Sequence, residues 1–170
     1  MNTREQIAYC LLDSKYRKIR RQVKLFNFEN AKRVGVLWHL DDKEGFLYIS
    51  DFLKKKQVIS RYLCYTGTSS EVIANSFGKK ETNFFGFPKK GVANSFMEVE
   101  YDLLVNISVN DCFPLKFVTA LTNAHFKIGT DTGSDNYFDL SIKIEDNKNS
   151  LYLVKQQIHY IEQFNKKELE

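Results

Sequence analysis

The feature that most constrains the fold is an alternation, after residue 32, of short apolar runs with stretches of helical periodicity. Arg33-Val34-Gly35-Val36-Leu37-Trp38 is an apolar run of strand length. Phe46, Tyr48, Ile49, Phe52 and Leu53 then recur at helical spacing up to Lys54-Lys55-Lys56, a cationic last turn that suits the negative end of the helix dipole. Residues 58–65 and 102–107 read as further strands. Residues 114–121 open on Pro114, which is accepted in a first helical turn. Residues 126–129 and 137–144 read as two more strands, the latter alternating Phe138, Leu140, Ile142 and Ile144. A last helix is expected over 150–164, with Leu151, Val154, Ile158 and Ile161 on its apolar face.

Strands separated by helices predict an α/β fold, a three-layer Rossmann-like or flavodoxin-like sandwich. Its sheet is expected to be mostly parallel, of about five strands, and covered on both faces. Residues 126–129 and 137–144 are hairpin-like and could add an antiparallel edge. Residues 66–96 show no clear period. A chain of 170 residues has the length of one domain, read here as an N-terminal arm over 1–30 and an α/β domain over 31–170.

Charge divides the chain in the same place. Residues 1–33 hold nine of the 25 Lys and Arg residues but three of the 21 acids, an excess of +6. The remainder carries 16 bases and 18 acids, a net −2. Within the arm Tyr9, Leu12, Tyr16, Ile19, Val23 and Phe26 recur at spacings of three and four, and neither proline nor glycine precedes Gly35. A basic amphipathic helix is therefore expected over about residues 4–24. Its stripe can pack on the body of the domain, form a homodimer seam, or dock on an anionic surface such as RNA or lipid headgroups. In the last case the binding residues are Lys15, Arg17, Lys18, Arg20, Arg21 and Lys24.

Cys10, Cys64 and Cys112 are isolated and odd in number, without zinc-type spacing. They are read as reduced thiols in a cytoplasmic protein. No run is long and apolar enough for a transmembrane segment, and the first residues lack a signal-peptide pattern. Asn106-Ile107-Ser108 matches a glycosylation sequon but falls in an expected core strand.

Ligands of open α/β sheets bind beyond the carboxyl ends of the strands. There the sequence offers His39, Asp41 and Asp42 after the first strand, and Thr68 and Ser69 after the second. The acids can serve a phosphoryl-transfer or metal pocket with Asp111 and Lys127, or simply cap the next helix. Thr66-Gly67-Thr68-Ser69-Ser70 can cradle a phosphate at a helix start, or be an ordinary loop with a serine cap. Dinucleotide, P-loop and nucleophile-elbow motifs are missing, and His39, His125 and His159 are scattered. Neither a metal site nor a cofactor is expected. Residues 129–136 are a polar turn without EF-hand spacing. The segment Lys79-Lys80-Glu81-Thr82-Asn83-Phe84-Phe85-Gly86-Phe87-Pro88-Lys89-Lys90 is a base-stacking platform if exposed. The energetics favour burial of its three phenylalanines, each worth roughly 1.5–3 kcal/mol.

Four blocks resemble a family of small uncharacterised α/β proteins from Bacteroidetes: Asn83-Phe84-Phe85-Gly86-Phe87-Pro88, Tyr101-Asp102-Leu103-Leu104-Val105-Asn106, Pro114-Leu115-Lys116-Phe117 and Ala124-His125-Phe126-Lys127-Ile128-Gly129. The resemblance implies an α/β fold and a domain of unknown function, and it supplies no catalytic residue. The residues themselves favour a non-enzymatic binding or adaptor protein that uses its basic helix on RNA or a ribonucleoprotein. The alternative is a small-ligand or phosphate-binding α/β enzyme with its site at the strand ends.

Overall fold

The central apolar runs become strands because they are buried on both sides. In β1 (Arg33–His39), Val34, Val36 and Trp38 enter one core, while Leu37 enters another. β4 (Tyr101–Asn106) divides likewise, with Leu103 and Val105 opposite Leu104. The computed structural model describes residues 1–133, 136–144 and 149–164. In chain order its elements are α1 (Thr3–Tyr16), β1, α2 (Lys43–Lys56), β2 (Ile59–Tyr65), β3 (Ser76–Phe77), α3 (Asn94–Met97), β4, α4 (Phe113–Leu121), β5 (Ala124–Thr130), β6 (Leu140–Ile142) and α5 (Ser150–Gln163).

The sheet has six strands in the order β3-β2-β1-β4-β5-β6, and every pair is parallel. This is a doubly wound order with its switch point between β1 and β4. The antiparallel edge expected from residues 126–144 does not form. β6 pairs parallel to β5 with Ile128 opposite Leu140, and Tyr137 just before it is buried in a cluster with Ala8, Leu12 and Phe117 instead of pairing beside β5. Ser134 and Asp135 of the expected polar turn lie outside the described residues. The sixth strand is β3, whose two residues are too few to show a period.

Helices α2 and α5 cover one face, and Ile49, Leu53, Leu153, Val154 and Ile161 pack on the strands beneath. The two helices meet closely at Gly45, whose N–H donates to Ser150 Oγ (3.1 Å). A Cβ there would lie 2.8 Å from the Ser150 carbonyl oxygen, so this contact requires glycine. The other face is covered by α4, with Leu115 and Val118 over Leu37, Leu63 and Leu104. Helix α1 lies outside α4, where Ala8 and Leu12 join Phe117, Ala120, Phe87 and Tyr137 in a third cluster. Its start is fixed by a capping box: Glu5 N–H donates to Asn2 Oδ1 (2.9 Å), and Asn2 N–H donates to Glu5 Oε2 (3.0 Å).

The expected helix over residues 4–24 ends at Tyr16. Continuing it would set Arg17 against Arg21 and Arg20 against Lys24 at i,i+4, two like-charge pairs with no acid between them. The tertiary contacts described next also require extended chain. Of the phenylalanine-rich segment, Phe87 is buried as the energetics favour, Phe85 is partly covered, and Phe84 is exposed.

Candidate functional site

After α1 the chain runs as an extended strap past the amino-terminal end of β5. Three contacts pin it. Lys24 N–H donates to the His125 carbonyl (3.1 Å). His125 Nδ1 lies 2.8 Å from the Gln22 carbonyl oxygen, while its Nε2 lies 3.1 Å from Glu100 Oε1. Arg21 grips Asp139 through both terminal nitrogens, with Nη1 2.8 Å from Oδ2, and it also donates to the Ala124 and His125 carbonyls. Asp139 in turn accepts from the Lys127 backbone N–H (2.8 Å). The strap is thereby tied to β5 and to the start of β6, and Phe28 beyond it enters the α2/α5 core.

The six cations proposed from sequence divide here. Arg21 is a structural tie, held on several sides and unavailable to a partner. Lys15, Arg17, Lys18, Arg20 and Lys24 are exposed, and none of the five forms an ion pair with a described residue. Of the apolar stripe that could serve a homodimer seam, Leu12 is fully buried and Tyr16 packs edge-on to Tyr137, while Val23 is exposed.

At the carboxyl ends of the strands the second set of candidates is only partly assembled. His39 Nδ1 accepts from the Asp41 N–H (3.1 Å), and its ring lies beside Tyr65 and Gly67. Asp42 precedes α2 without capping it by its side chain. It is buried close to the Val109 backbone N–H and Ser108, which favour its charged form, so the end of β1 faces the loop after β4. Burial raises its pKa to about 6, and the neighbouring Asp41 charge adds to the rise. Thr68 and Ser69 are exposed on a loop leading into β3, not into a helix. The expected helix start is therefore missing, and with it the dipole that would favour a phosphate. A cavity of about 640 Å³ does open beside Thr68 and Ser69, with Lys79 and Lys80 on its other wall.

The acidic pocket considered from sequence does not form. Asp111 pairs with Lys116 (2.7 Å). Lys127 is fully buried and donates to the Thr119 (2.6 Å) and Ala120 (3.0 Å) carbonyls in the last turn of α4. Burial lowers the Lys127 pKa to about 7, and the Arg21 charge lowers it further while Asp139 opposes. Lys127 is thus a C-terminal cap turned inward. Its sequence signal was a lone lysine between Phe126 and Ile128 in an apolar strand. No cluster able to hold a metal occurs among the described residues. Cys64 and Cys112 are pushed up to about 12 by burial, so neither thiol is activated.

A protein-family model described as a family of unknown function (DUF6913) matches residues 4–164. The chain belongs to that family. No curated protein and no solved structure matches it. The DUF6913 match runs from the first turn of α1 through α5, so it includes the strap as well as the sheet. No helix among the described residues is long and apolar enough to cross a membrane.

Proposed function

We propose that this chain is a non-enzymatic binding protein of the cytoplasm, and that its strap engages single-stranded RNA or a ribonucleoprotein. One observation carries the reading: five exposed cations without acid partners among the described residues lie within ten positions, Lys15 in the last turn of α1 and the other four on the strap pinned to the sheet. A pinned strip presents its charges with less ordering cost than a free tail. RNA is preferred over lipid because an interfacial helix needs a wide free apolar face, and α1 buries Ala8 and Leu12 against α4 and leaves only the pair Ile7 and Leu11 exposed along its length.

The test is a salt titration of mixed-sequence single-stranded RNA binding by the intact chain and by a variant with Lys15, Arg17, Lys18, Arg20 and Lys24 changed to Gln. Deleting the arm would also remove Ala8, Leu12 and Arg21 from the fold, whereas these five side chains are exposed. Each phosphate neutralised contributes about −0.7 to the log–log slope, so the full set gives about −3.5. The variant should lose most of that slope while keeping its melting temperature. Equal slopes for the two chains refute the reading. A second reading, a phosphate-binding or small-ligand enzyme, is favoured by the cavity beside Thr68; it predicts saturable binding of inorganic phosphate that Lys80→Gln weakens.

A further inference from the structure

A group of aromatic side chains gathers toward the carboxyl ends of the strands, away from the strap at the amino-terminal end of β5. A separate cavity of about 640 Å³ opens between the first turns of α1, the phenylalanine-rich loop and the start of α4. That volume suits a small organic ligand. Tyr9, Tyr65, Phe84, Phe85 and Phe113 supply its rings. Phe84 lies edge-on to Phe85 (5.4 Å) and Tyr9 edge-on to Phe113 (4.9 Å), and the buried Phe87 joins the two pairs through Phe85 (6.1 Å) and Phe113 (5.7 Å). Phe84 is 72% exposed although its neighbours Phe85 and Phe87 turn inward. The loop is not loose there, because Asn83 Oδ1 accepts from both the Phe85 and Phe87 N–H groups. A rigid loop therefore holds a phenyl ring in water at the mouth of an aromatic cavity.

The charges around the cavity select the ligand. Of its two acids, Asp111 is neutralised by Lys116, while Glu5 keeps its charge and is turned back onto the Asn2 N–H in the capping box. Of its two exposed cations, Arg4 stands over the Phe84 ring at 5.5 Å, and neither it nor Lys79 forms an ion pair with a described residue. A cleft with aromatic walls and unneutralised cations at its rim favours a flat ring bearing one negative group. We propose that this cavity is a binding site for a small planar aromatic anion, which stacks on Phe84 and places its carboxylate, sulfonate or phosphate beside Arg4 and Lys79. The site is independent of the strap, and it assigns α1 a second role as one wall of a ligand cleft.

The experiment is a fluorescence titration of the full chain with 1-anilinonaphthalene-8-sulfonate, whose fused ring and single sulfonate have the required chemistry. Saturable binding of one equivalent is expected. Phe84→Ser and Arg4→Gln should each weaken it about tenfold, the loss of one partly desolvated ring or cation contact. Val72→Ser should leave it unchanged, since Val72 is exposed outside the cavity. All three positions are exposed, so unchanged melting temperatures will show that the fold is retained. The uncharged analogue N-phenyl-1-naphthylamine should bind more weakly and be indifferent to Arg4→Gln. Unsaturable binding, or binding that both cavity variants leave intact, overturns the site. Equal affinity for the uncharged analogue overturns the choice of an anion. The five-fold strap variant should bind the dye like the parent chain, so failure of the RNA reading and failure of this one are distinguishable.

Discussion

Arg21 offers the sharpest test of the view that the strap is structural along part of its length and free along the rest. Its guanidinium and the Asp139 carboxylate are 10% and 14% exposed. Removing one member of a buried pair leaves the other charge desolvated, at a cost of about 3–5 kcal/mol. Residual solvent access sets Arg21→Met near the lower figure, about 3 kcal/mol. Asp139 would retain the Lys127 N–H, but the two Arg21 bonds to the β5 carbonyls would also be lost. For a chain of this length, each kcal/mol shifts the melting temperature by about 2–4 °C. The expected fall is therefore about 6–12 °C, with a matching loss of stability in urea. The assay is a double-mutant cycle with Asp139→Asn. The pair should show a coupling of about 2 kcal/mol, because the second change removes a carboxylate already left unpaired. Independent, additive losses, or an Arg21→Met cost below about 1 kcal/mol, would show that Arg21 is an ordinary surface cation. In that case it should be returned to the binding set.

Three further outcomes follow from buried groups. The folded chain holds Lys127 with a pKa near 7, below its ordinary 10.5, so between these values the unfolded chain keeps a proton that the folded one has released. Stability from this group therefore rises with pH across that window, by up to about 1.4 kcal/mol per unit, and Lys127→Met should flatten urea midpoints measured relative to the parent chain at pH 7 and 9. Asp42 behaves oppositely: its pKa is raised from 3.8 to about 6, so its contribution is present at acid pH and lost as pH rises through that interval. Asp42→Asn should be about 3 kcal/mol more stable than the parent at pH 8, and the two should converge near pH 4. At Gly129 an added Cβ would run into the Phe138 ring. Gly129→Ala should cost about 1–3 kcal/mol in chemical denaturation, and an unchanged midpoint would show that Phe138 does not seat there.

How far the sequence could be read depended on how local each determinant was. β1 and β4 were legible because both their faces are buried, which writes a nearly continuous apolar run, whereas β5 is interrupted by His125, Lys127 and Gly129 and was legible only over its second half. α2, α4 and α5 were legible from their periodicity and from Pro114. The end of α1 was not, since residues 17–26 continue a helical stripe, and the contact that opposes it comes from Asp139, 118 positions away. β3 and the parallel placement of β6 depend on neighbours rather than on their own few residues. Among the candidate sites, the basic character of residues 15–24 was evident from composition. The division between Arg21 and the five exposed cations was not, because burial is a property of the partner surface. The cavity under α1 left no single motif: its rings come from α1, the end of β2, the phenylalanine-rich loop and the start of α4.

The central claim is that the strap, and not the strand ends, meets an anionic polymer. It is tested most directly by mapping backbone amide shifts while a short mixed-sequence single-stranded RNA is added to the folded chain. Shifts concentrated in residues 15–24, weakening as salt is raised, are the predicted result. Shifts confined to residues around Phe84 or Thr68, or no saturable shifts at about 50 mM salt, would contradict it.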